Sequence, residues 1–152
     1  MVNIFSLLII SLALNQSSSN VDMNAVRSSF TKAASSKAIC GGMIEKLEPL
    51  TNDHLCLAYL GGFQAIWANH VMNPFSKLKT FKEGKRNIEN AVSKVPGSWE
   101  IRLVRYSVQK NSPAFLHYGQ HLKNDAAFIR KHLHSVTNPV LIQMANDLLK
   151  NQ

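Results

Sequence analysis

The stretch from Asn73 to Gln109 constrains this chain most, because it holds a complete amphipathic helix, a tight bend and the start of a second helix of different character. Asn73-Pro74 reads as an N-cap and first helical residue: the Asn side chain accepts an otherwise unpaired backbone N–H, and proline needs no donor there. At about 100° per residue, Leu78, Phe81, Gly84, Ile88, Ala91, Val92 and Val95 fall in one arc. Lys79, Lys82, Glu83, Arg86, Glu89, Asn90 and Lys94 fall opposite them. Pro96-Gly97 disfavours continuation, and Ser98 caps a new helix with Glu100 in its first turn, where a negative charge is favoured. The new helix carries Ile101, Val104 and Val108 on one sector and Trp99, Leu103 and Tyr106 on another, so burial on both sides is expected. Between those sectors Arg102, Arg105 and Gln109 share a flank.

The same grammar runs through the rest of the chain. Val26, Phe30, Ala33, Ala34, Ala38, Met43, Ile44 and Leu47 recur at helical steps over Met23 to Leu47. Gly41 and Gly42 interrupt that run, each costing ~1 kcal/mol against alanine, so a bend or a close backbone contact is expected there. Pro49 ends the segment, and Thr51, Asn52 and Asp53 offer caps for a largely apolar core helix reaching about Val71. Ser112-Pro113 and Asn138-Pro139 repeat the cap-then-proline pattern: a short helix is expected from the first, a helix over about Gln120 to Val136, and a last one from Pro139. No stretch alternates as a strand. The expected fold is all-α, about seven helices in antiparallel neighbours joined by short connections.

Residues 1–20 are a different material. Ile4 to Leu14 is an apolar run followed by a polar, serine-rich stretch to Asn20, which reads as a signal peptide for export to a periplasmic or extracellular space. The run is shorter than the ~20 residues a bilayer span requires, and no second long apolar run follows, so no transmembrane helix is expected in the mature chain. What remains, residues 21–152, is enough for one domain. All 17 Lys and Arg and all 9 Asp and Glu lie in it, giving a formal charge of +8. That excess favours acidic proteins, anionic surfaces or small anions as partners, with nucleic acid the least fitting for an exported chain.

The helices before and after Asn73 carry Gly61 and Gly62, then Gly84, Ile88, Ala91 and Pro96. Small residues at the crossing, an alanine near the end and a proline at the exit resemble a tetratricopeptide-type helical hairpin over about Leu57 to Pro96, as one unit and not an array. The stretches NPFSKLKTFKEGK, WEIRLVRYSVQ and PAFLHY, behind a signal peptide, are similar to a group of small exported bacterial helical proteins without known activity.

Few residues invite chemistry. Cys40 and Cys56 come near each other if their helices form a hairpin about Pro49; they are either a disulfide, worth ~3 kcal/mol by loop closure, or two small buried side chains. His117, His121 and Asp125 are spaced four apart, but Gly119 breaks the helix between them and no HExxH glutamate accompanies them, so surface histidines explain them better than a metal. No GxSxG, phosphate loop or singled-out carboxylate pair is present, which leaves an enzyme the minority reading and implies no cofactor. The remaining feature is positive. Lys85 sits at the edge of the apolar arc of its helix, facing the flank of Arg102, Arg105 and Gln109, and the four together form either a pocket for a carboxylate or phosphate or one side of an internal ion-pair network with Glu45, Glu48, Glu89 or Asp125. A protein-binding or scaffold module is therefore the leading expectation, and a small-anion or small-ligand binding protein the alternative. A contiguous apolar groove favours the first, and an enclosed pocket lined by Lys85 and Arg105 the second.

Overall fold

Helix starts in this chain are written in its capping side chains. The computed structural model describes residues 21–150, so the signal segment expected over residues 1–20 lies outside the described residues. Seven α-helices follow one another: α1 Met23–Lys32, α2 Lys37–Leu47, α3 His54–Trp67, α4 Pro74–Lys94, α5 Trp99–Asn111, α6 Leu122–His132 and α7 Pro139–Leu149. Asp53 Oδ1 accepts from the N–H of Leu55 and Cys56 at 2.8 and 2.9 Å, Asn73 Oδ1 from Phe75 and Ser76 at 2.9 and 3.1 Å, and Asn138 Oδ1 from Val140 and Leu141 at 3.0 and 3.2 Å. Each satisfies donors the helix itself cannot. Among the described residues there is no strand, and no helix is long and apolar enough to cross a membrane.

One boundary falls elsewhere than the periodicity suggests. The run from Met23 to Leu47 breaks at Ala33–Ser35 and not at the glycines. The serines explain it: Ser35 Oγ donates to the Lys32 carbonyl at 3.0 Å, and Ser36 Oγ accepts from Ile39 N–H at 3.3 Å to open α2. Serine side chains compete with helix continuation in this way. Gly41 stays inside α2 because the Trp67 ring lies where its side chain would be, with Cζ3 only 3.2 Å from an added Cβ. Ser112-Pro113 leads only into the 3-10 turn Ala114–Leu116, which His117 ends in the left-handed region at φ 48°.

α3 is the central helix. Tyr59 and Phe63 are fully buried on it, and Phe30 of α1 meets both rings edge-on at 5.3 Å. α4 crosses it at two glycines with backbone against backbone: a Cβ on Gly84 would stand 2.4 Å from the Gly61 oxygen and 2.7 Å from the Ala65 nitrogen. The buried face of α4 is Phe81, Gly84, Ile88, Ala91 and Val92, while Leu78 and Val95, expected in the same arc, are 41% and 36% exposed, the first on the wall of a groove and the second just past the helix end.

α5 behaves as its two apolar sectors require. Ile101, Val104 and Val108 belong to the core around α3, and Leu103 and Tyr106 belong to a second core with Ala126 and Ile129 of α6 and Leu141 and Ala145 of α7. Trp99 seals the edge of that second core, its Nε1 donating to the Ile129 carbonyl at 3.1 Å. At the far end Lys110 Nζ donates to the Leu148 carbonyl in the last turn of α7, where a cation is favoured.

The two cysteines are buried and free in the structure, not bridged. Cys40 Sγ donates to the Phe63 carbonyl at 3.3 Å. Phe63 lies two turns along α3 from Cys56, about 10 Å, so the α2–α3 pairing carries Cys40 past its expected partner. Burial pushes both thiols up to about 11, with the Asp53 charge adding to the effect at Cys56. In the unfolded chain they ionise near 9. A folded pKa raised in this way contributes stability that is intact below pH ~9 and lost as pH rises through ~11, roughly 2 to 3 kcal/mol per thiol at the limit. Urea unfolding from pH 8 upward is expected to show that loss, halved in Cys40→Ala, together with slow reaction of a thiol reagent with the native protein at pH 8. Rapid labelling of both thiols under native conditions is the opposite result.

Candidate functional site

The flank of Arg102, Arg105 and Gln109 on α5 faces Asp125, which is fully buried in the first turn of α6. Arg105 grips it with two parallel bonds, Nε to Oδ2 at 2.7 Å and Nη2 to Oδ1 at 2.8 Å. Gln109 Nε2 donates to Oδ2 at 3.2 Å, and Arg102 Nη1 reaches Oδ1 at 3.4 Å. The other side of the Gln109 amide accepts from His121 N–H at 3.0 Å, which fixes the start of α6. The remaining Arg105 nitrogen donates to Glu89 Oε2 on α4 at 3.1 Å, and Glu89 Oε1 accepts from Tyr118 Oη at 2.7 Å. Burial, then the bond to Glu89 and its charge, push the Tyr118 phenol far up, so it stays a neutral donor. Burial alone would lower Arg105, but its bonds to Asp125 and the Asp125 and Glu89 charges leave it raised and permanently charged.

Each expected site residue therefore has a definite place. Arg105 and Gln109 are buried, with their donors taken by Asp125 and Glu89. Arg102 donates through Nε to the Pro96 carbonyl at 2.7 Å and lies 4.3 Å over the Phe128 ring. Lys85 Nζ lies 4.9 Å over the Tyr118 ring. The four residues are gathered in one region, but carboxylates occupy its centre. Tyr118 was the member that periodicity could not have found, because it follows a helix break and owes its place to the turn after Leu116.

A second bonded set ties α1 to α5. Arg27 Nε and Nη2 donate to the two Glu100 oxygens at 2.7 and 2.9 Å, and Tyr59 Oη donates to Glu100 Oε1 at 2.7 Å. The Glu100 bond and charge raise Arg27, while burial, then the Glu100 charge, raise Tyr59. Sequence reading gave Glu100 only its place in the first turn of α5 and missed this partner role, since Arg27 lies on an otherwise unremarked face of α1.

A broad concavity lies elsewhere. A groove of about 940 Å³ runs between α1, α3, α4, α5, the turn at Ala114–Leu116 and α7. Its floor is apolar, with Phe30, Ala65, Phe81, Val108, Leu116 and Met144. Leu78 and Phe115, 41% and 74% exposed, stand on its rim beside Lys77. α4 is longer than the helices beside it, and the chain after Asn111 forms one wall of the groove as a short 3-10 segment. The fold and site thus define an all-α domain with an open apolar groove and an internally neutralised charge network. Protein-family models, curated proteins and solved structures were each compared with the chain, and none matches.

Proposed function

We propose that this protein is an exported binding module whose groove receives a helical segment of a partner protein, apolar on one face and acidic at its edges. The observation that carries the reading is the open apolar groove with Leu78 and Phe115 left uncovered on its rim. An enclosed cavity would suit a small molecule, whereas an open trough with exposed apolar walls gains most from a partner that brings its own apolar face. A helix about 10 Å across inserts apolar residues at i, i+3, i+4 and i+7 into such a trough. Lys77 and Asp147 both line the groove, so acidic edges on the partner complement the net charge of +8 rather than the groove wall. A small anion is served less well, because Arg102, Arg105 and Gln109 already hold Asp125.

Selection of a displayed library of amphipathic helical peptides on the immobilised protein tests this. Enriched sequences are expected to carry apolar residues at helical spacing with carboxylates beside them. Their affinity for Leu78→Glu or Phe115→Glu is expected to fall tenfold or more, as one interface anchor is lost and repulsion is added. Both side chains are exposed, so melting should move little, within about 0.5 to 1 kcal/mol. Selected peptides that bind these variants as well as the original protein would show the groove is not the site.

A further inference from the structure

The first turns of α4 are capped like those of α7, but no other helix start among the described residues is exposed over so long a run. Residues 72–79 are exposed without interruption; Pro74, Lys77 and Leu78 turn one side of this end toward the groove, and Met72 and Phe75 stand outside it. Met72 is 94% and Phe75 84% exposed, the most exposed large apolar side chains among the described residues. Phe75 and Leu78 share a shallow depression with Lys79, Lys82, Glu83 and Arg86, all within one side of α4. Lys77, Lys79, Lys82 and Arg86 form no ion pair among the described residues, and Glu83 is the first acid after Asp53.

We infer that this exposed end of α4 docks on an anionic lipid surface, with Phe75 and Met72 entering the headgroup layer and Lys79, Lys82 and Arg86 lying against the lipid phosphates. Charge beside exposed apolar tips favours lipid over a protein groove. A partner helix fills a concavity, as in the groove that Leu78 lines; Met72 and Phe75, more than four-fifths exposed, line no such groove and have no deep walls around them. A bilayer interface needs none, because lipids close around an aromatic tip while unpaired cations beside it meet anionic headgroups. The single acid, Glu83, faces three cations in the same depression and leaves the face positive. Leu78 borders both surfaces, but Phe75, Lys79, Lys82 and Arg86 line only this one, and the inference stands without the groove reading.

The test uses the full chain with Phe75→Trp and vesicles of phosphatidylcholine, alone or mixed equally with phosphatidylglycerol, carrying brominated acyl chains. Ile4 to Leu14 can hold vesicles by itself, so the readout is quenching of the introduced indole, measured as the difference from the unsubstituted protein with Trp67 and Trp99. Quenching is expected on the mixed vesicles and absent on phosphatidylcholine alone. Adding Lys79→Ala, Lys82→Ala and Arg86→Ala is expected to raise the lipid concentration needed on the order of a hundredfold. An indole that stays unquenched while the protein sediments with mixed vesicles overturns the inference. So does quenching that ignores phosphatidylglycerol or the three cations, and so does protein that remains in the supernatant, which would leave this face to an acidic protein.

Discussion

Replacing Arg105 by methionine is expected to cost about 3 to 5 kcal/mol of folding stability, because Asp125, fully buried, would lose the bidentate partner that makes its charge tolerable. Methionine keeps much of the side-chain volume, so the loss reports the charge and not a cavity. For a domain of this size the melting temperature should fall on the order of 10 °C or more. Removing both charges as Arg105→Met with Asp125→Leu should recover part of the loss, since a buried pair is far worse half-broken than absent. The recovery stays partial because Gln109 and Glu89 also lose partners. Phosphate or dicarboxylates should raise the wild-type melting temperature no more than chloride at equal ionic strength. A rise specific to one anion, lost in Arg105→Met, would mean that the cluster receives a ligand.

The second large effect is expected from a single methyl group. In Gly84→Ala the new Cβ would lie 2.4 Å from the Gly61 oxygen, and neither backbone can yield without separating α3 from α4. A loss of about 3 kcal/mol or more is expected, despite the ~1 kcal/mol that alanine gains over glycine inside a helix. Gly42→Ala provides the contrast, because nothing lies within 4 Å of its added Cβ. There the intrinsic preference acts alone and the protein should become more stable by up to about 1 kcal/mol. Equal effects at the two glycines, read by urea unfolding, would mean that the helices do not touch backbone to backbone.

These contrasts mark how far local sequence reaches. The caps at Asp53, Asn73, Ser98 and Asn138 and the two-sided burial of α5 are legible because they depend on residues within a turn or two of each other. The break after Lys32 was hidden because the alanines there favour a helix, and the Ser35 and Ser36 hydroxyls override them by bonding to the backbone. The Arg102–Arg105–Gln109 flank was visible as a spacing, but its partner was not: Asp125 and Glu89 reach it from two other helices. Cys40 missed Cys56 for a similar reason, since the offset between α2 and α3 is set by packing around Phe63. The groove was least visible of all. It follows from how six separate segments meet, and the same periodic leucine at 78 reads as core although it stands 41% exposed on the groove wall.

α5 belongs to both cores at once, and this governs how the molecule comes apart. A helix buried on a single side can peel away and leave the remainder standing, with only the lost contacts to set against the entropy released. Detaching α5 instead strips Ile101 and Val104 from one cluster and Leu103 and Tyr106 from the other in the same event. Neither half then keeps a closed apolar interior, and the Glu100 and Asp125 networks lose their α5 members together. Opening at the centre is thereby all-or-none, whereas residues 72–79 belong to neither cluster. The chain joins a cooperative hub to an edge outside both clusters, and the edge is where its unsatisfied surface lies.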